Sequence, residues 1–156
     1  MYKKILVPLD GSKLAECVLP HVEDIAKGCN AETVVLIRVV ETLYIPITAG
    51  EGYMLSTRDL QRIEEESKTE AARYLDELAG RLKYGNVNIK TEVIVGKPAE
   101  IISDYAAGNG VELIAIATHG RSGVSRWVWG SVTDKVLRSS HVPILVVRVP
   151  GSRPGE

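Results

Sequence analysis

Apolar residues fall into short unbroken runs that alternate with segments where they recur every three or four positions. The runs at residues 4–9, 32–40 and 111–117 carry almost no polar interruption and predict buried strands. Residues 87–95 begin with strict apolar–polar alternation, as a half-exposed strand does, and residues 144–149 form a last apolar strand. Between these lie amphipathic segments. Ser12 is placed to cap a helix carrying Leu14, Val18, Val22 and Ile25, with Gly28 and Asn30 as stop signals. A charged helix from Thr57 to about Lys83 carries Leu60, Ile63, Ala71, Tyr74, Leu75, Leu78 and Leu82 on one stripe. Pro98 opens a third helix that ends at Gly108-Asn109-Gly110, and Ser131 opens a fourth.

Strand and helix thus alternate along the whole chain, which predicts an α/β fold with a parallel sheet covered on both faces. Residues 41–56 are long for a connection in a compact domain, and the tail at 150–156 has nothing to bury. One domain over residues 1–149 is expected.

The stretch between the fourth strand and the last helix carries the clearest chemistry. Gly120, Gly123 and Gly130 allow backbone N–H groups to approach a ligand closely. Gly130-Ser131 stands at a helix start, where unpaired N–H groups and the positive dipole end attract anions. Ser131 and Thr133 add hydroxyl donors, Val132 lies between them, and His119 and Arg121 flank Gly120, where each reads either as a partner for phosphate or as a solvent-facing loop residue, the latter favoured for Arg121. A phosphate cradle is the reading these residues suggest, and a tight structural connection is its alternative. Asp10, at the end of the first strand after Pro8 and Leu9, reads either as an acceptor for ribose or base or as a turn cap. Trp127 and Trp129 are expected to pack against the body or a partner.

The loop is neither a Walker motif nor a dinucleotide-binding GxGxxG. Its spacing resembles the universal stress protein family, whose ATP-binding members carry G-x2-G-x9-G-[ST]. Gly120 matches the second glycine, residues 121–129 are the nine, and Gly130-Ser131 close the motif. Ala117 replaces the first glycine and brings a methyl to backbone expected near phosphates or sugar. The likeness runs from Lys3 to Val147.

The resemblance implies a Rossmann-like five-stranded sheet of order 3-2-1-4-5 with a switch point between strands 1 and 4. It further implies ATP, ADP or AMP in the crevice there, with Mg2+ or Mn2+ accompanying the phosphates. Asp10 would lie by the nucleotide, and Val39 would offer backbone contacts to adenine. It also implies that the last strand is an edge and that a homodimer forms through residues 142–149; given that edge position, the strand's apolar character points the same way.

Composition narrows the classes. A net charge of -1 gives no general attraction to nucleic acid or anionic membranes. No apolar run reaches membrane-spanning length, and the N-terminus lacks a signal peptide's apolar region. Cys17 and Cys29 form no CxxC and read as small core residues of a reduced, cytoplasmic protein. The functional expectation is a nucleotide-dependent stress-response or regulatory protein, with an unidentified protein partner. Two alternatives stand beside it: a slow metal-dependent nucleotide hydrolase or transferase, and a dimeric interaction module without nucleotide.

Overall fold

The structure is a computed structural model and describes residues 1–42, 56–118 and 130–149. Five parallel strands form one sheet of order β3-β2-β1-β4-β5: β1 (Lys4–Pro8), β2 (Thr33–Val40), β3 (Asn88–Val95), β4 (Leu113–Thr118) and β5 (Ile144–Arg148). The helices are α1 (Leu19–Gly28), α2 (Thr57–Arg81), α3 (Pro98–Gly108) and α4 (Ser131–Ser139). The expected fold and strand order are therefore present.

Alternate side chains of the sheet feed two cores. Ile5, Val7, Val34, Leu36, Leu113 and Ala115 join Val22 of α1 with Leu75 and Leu78 of α2. On the other face Leu6, Val35, Ile37, Ile114 and Ile116 join Ile102 of α3 and Val136 of α4. Each fully buried valine, leucine or isoleucine among them stabilises the fold by about 1.5–3 kcal/mol relative to exposure. The uninterrupted apolar strands β1, β2 and β4 occupy the centre, where both faces are covered. The alternating β3 takes one edge, and its side chains are exposed or half-buried.

The start of the first helical segment departs from the sequence expectation. A 3-10 turn (Ala15–Val18) with Leu14 at its N-cap precedes α1, and Ser12 Oγ accepts from the N–H of its first residue, Ala15, at 3.2 Å. Pro20 sits in the first turn of α1, where its missing N–H breaks no ladder. Leu14, expected on the buried stripe, is 51% exposed. At α2 the prediction holds more closely: Ser56 and Asp59 form a reciprocal capping box, and Ala71, Leu75 and Leu78 are buried. Most of the long connection before α2, residues 43–55, lies outside the described residues, as do Trp127, Trp129 and the tail at 150–156.

Candidate functional site

Parallel strands bring the carboxyl ends of β1, β2 and β4 to one edge of the sheet. The β1–β2 register pairs Pro8 with Ile37, and the Leu9 N–H continues it by donating to Ile37 O at 2.9 Å. One step further puts Asp10 level with Val39. The β1–β4 register pairs Leu6 with Ile114, and its extension puts Asp10 level with Thr118. Helices α1 and α2 cover one face and α3 and α4 the other, so strands 1 and 4 are where the chain reverses its direction of winding. Open α/β sheets take ligands in the crevice at such a switch point.

On the β1 side, the turn after the strand is closed by its own side chains. Asp10 Oδ1 accepts from the Ser12 N–H at 2.9 Å and from the Ser12 hydroxyl at 2.6 Å. Gly11 adopts φ +87°, a left-handed backbone that an L side chain would strain. Asp10 is exposed, so its carboxylate combines a turn-capping role with access from outside. The two sequence readings of Asp10 are compatible.

On the β4 side, the strand delivers Ala117 and Thr118, both buried. The Ala117 methyl packs within the core cluster that includes Leu9 and Val147. Its carbonyl accepts from the Thr133 hydroxyl at 3.4 Å, which ties β4 to the first turn of α4. Thr133 is therefore oriented inward, at 3% exposure, while Ser131 is exposed and Val132 half-buried. The N-cap of α4 is Gly130 in extended backbone (φ -52°, ψ 144°), and it has no side chain to cap with. The first intrahelical bond runs from the Asp134 N–H to Gly130 O at 2.9 Å. The N–H groups of Ser131, Val132 and Thr133 precede that ladder and have no partner within the helix. They present donors and the positive end of the helix dipole at the carboxyl edge of the sheet.

Pro8, Leu9, Asp10, Val39, Ala117, Gly130, Ser131, Val132 and Thr133 thus share one edge of the sheet. Within it, Val39 belongs to the α3–α4 face, and Leu9 and Ala117 belong to the α1–α2 core. His119, Gly120 and Arg121 lie outside the described residues.

One residue at this edge escaped the sequence reading. Arg38 of β2 follows Val34 and Leu36 on the α1–α2 face, and its guanidinium lies 5.6 Å from the centre of the Tyr74 ring. The available signal was a single arginine in the otherwise apolar stretch at residues 34–40.

Among the described residues no group of three or more His, Cys, Asp or Glu side chains forms a metal cage. None of their helices is long and apolar enough to cross a membrane.

Comparison with known proteins places this edge in context. The family model described as the universal stress protein family matches residues 1–148. The universal stress protein MJ0577 of Methanocaldococcus jannaschii is 34% identical, covering 95% of this chain and 96% of its own. The solved structure of MJ0577 aligns with a TM-score of 0.71 at 31% identity, over 100% of this chain and 99% of that one. Two more distant structures share the fold. A universal stress protein in complex with cAMP has a TM-score of 0.60 at 21% identity, covering 95% of this chain and 98% of its own. An Arabidopsis thaliana universal stress protein family protein with AMP bound has a TM-score of 0.64 at 14% identity, covering 96% and 93%. With a five-stranded parallel sheet of order 3-2-1-4-5 and a family match over nearly its whole length, the chain belongs to the universal stress protein family.

Proposed function

We propose that this chain binds an adenine nucleotide, ATP with ADP and AMP as alternatives, between the carboxyl ends of β1 and β4, and acts as a nucleotide-dependent regulator. The observation that carries the reading is the placement of two complementary groups on the two sides of one switch point. The Asp10 carboxylate stands at the end of β1, and an α4 N-terminus that has no side-chain cap among the described residues stands after β4. A carboxylate suits ribose hydroxyls or a base N–H, and uncapped helix N–H groups suit phosphate. Val39, on the neighbouring strand, offers backbone groups to adenine. The cAMP- and AMP-bound relatives show that this fold accommodates adenine nucleotides in other family members. Mg2+ or Mn2+ enters as a counterion of the phosphates.

The assembly proposed is a homodimer. β5 is an edge strand whose Ile144, Leu145 and Val146 are only half-buried, an apolar edge that a second copy would cover.

The test is isothermal titration calorimetry of the purified protein with ATP, ADP and AMP in magnesium, with Gly130→Val alongside. The valine side chain would stand over the first N–H groups of α4. Binding by wild type and a loss of at least about tenfold in the folded variant is the expected result. Absence of binding by wild type overturns the reading.

A further inference from the structure

The Asp10–Ser12 turn rests on a stack of side chains that nucleotide contacts alone do not require. A Cβ built on Gly11 would lie 2.6 Å from Arg38 Nη1 and 2.9 Å from Arg38 Cζ, so the guanidinium lies directly against the Gly11 backbone. It also lies over the Tyr74 ring of α2, 5.6 Å from the ring centre. The Tyr74 hydroxyl donates to Glu16 Oε1 at 3.1 Å. Glu16 also meets Lys13 Nζ at 3.6 Å and Arg81 Nη2 at 3.9 Å. The contacts therefore run in sequence from turn to guanidinium, aromatic ring and carboxylate. Arginine suits the middle position because its planar group stacks on an aromatic ring, and a lysine ammonium cannot reproduce that.

We propose that Arg38 is a positioning residue of the nucleotide site: its guanidinium, held between Gly11 and Tyr74, fixes the Asp10-Gly11-Ser12 turn and thereby aims the Asp10 carboxylate. This rests on the nucleotide reading above for its functional consequence, while the geometry it invokes stands apart from that reading. The electrostatics agree with the stack. Burial is the main cause that raises the Tyr74 hydroxyl above the ordinary phenol range, and Glu16 adds to it. Asp10 raises it further and Arg38 lowers it, so both charges act on the same hydroxyl.

The stack explains why glycine follows Asp10. The left-handed φ disfavours a side chain there, and the guanidinium occupies the volume a side chain would need. Removing either partner frees the turn without touching the α4 N-terminus. The expected phenotype is selective: contacts made by Asp10 weaken, and contacts to the phosphates persist.

The experiment uses the full chain, Arg38→Met, Asp10→Asn and the double variant, with ATP and inorganic triphosphate as ligands by calorimetry. Arg38→Met is expected to weaken ATP about tenfold and triphosphate less than about twofold. In the Asp10→Asn background the Arg38 effect is expected to vanish, the signature of two residues acting as one unit. Without ligand, the Ser12 amide proton resonance of Arg38→Met should move toward its position in Asp10→Asn, because its bond to Asp10 Oδ1 is loosened. Tyr74→Leu, which removes the ring against the guanidinium and leaves the turn's own residues unchanged, should shift both readouts the same way and carries the test if Arg38→Met does not fold. Equal ATP affinities in wild type and Arg38→Met overturn the proposal, and so does a parallel loss of triphosphate. Failure of wild type to bind ATP removes the nucleotide reading instead. The Ser12 resonance then decides the positioning role by itself, and an unmoved resonance overturns it.

Discussion

The Tyr84 hydroxyl donates to the carbonyl oxygen of Leu19 at 2.9 Å, a buried bond between the α2–β3 connection and the first residue of α1. It joins segments 65 positions apart and fixes where α1 begins over the sheet. Tyr84→Phe keeps the ring in the core and removes only this bond. A loss of about 1 kcal/mol is expected in urea unfolding, with an unchanged slope. A loss below the error of the method would mean that the ring alone anchors the connection.

Alkaline pH probes the same region. Burial raises Tyr84 above the ordinary value of 10.0, with Glu23 adding to it, and burial together with Glu16 raises Tyr74. A phenol loses its proton to become charged, and here the native state holds that proton more tightly than the unfolded chain. The associated stability is therefore complete below pH 10.0 and is lost as pH rises above it. Absorbance near 295 nm should show these two tyrosines ionising only together with unfolding. Tyr74→Phe and Tyr84→Phe should each reduce the steepness of the alkaline stability loss. Ionisation of all six tyrosines at ordinary values, with the fold intact, would contradict this.

Ala117→Gly separates packing from ligand binding at the motif's first position. The Ala117 methyl lies in the core at 7% exposure, so restoring the family glycine removes a buried methyl and loosens a strand. The expected cost is about 1–2 kcal/mol of stability, and the expected change in ATP affinity is within about threefold. A large gain in affinity would show instead that the methyl obstructs the ligand.

The β5 edge makes a prediction about assembly. The Ile114 N–H donates to Pro143 O and the Val149 N–H donates to Thr118 O, so the odd-numbered residues of β5 direct backbone groups toward β4. Val146 therefore directs its N–H outward, away from β4. Val146→Pro deletes a donor that the monomer's sheet does not use. Light scattering after size exclusion should show wild type as a dimer and this variant as a folded monomer at micromolar concentration. A monomeric wild type would end the dimer proposal.

Much of the architecture was legible in the pattern of residues alone. The apolar runs of β1, β2 and β4 read as buried strands and the alternation of β3 as a half-exposed one, and the structure places them so, whereas the equally apolar β5 lies at an edge. Strand order came with the family resemblance, because alternation of strands and helices leaves several orders open. The glycine at position 130 marked a helix N-terminus without a side-chain cap, and that is where α4 begins. The exposure of Leu14 was not legible. Its spacing matches a helical stripe, but Leu14 precedes both α1 and the 3-10 turn before it, so the helical period does not extend to it.

Sequence by itself determined the class of fold, the place of Asp10 at the end of a buried strand and the character of the α4 terminus. These depend on local periodicity and on residue types whose backbone preferences act within a few positions. Tertiary structure decided the rest. Only the sheet register brings Asp10 level with Val39, and only packing of α2 across the sheet puts Tyr74 against Arg38 and Arg38 against Gly11. Those partners are far apart in the chain, and no local preference encodes a contact whose geometry is set by how two covered faces close on one sheet.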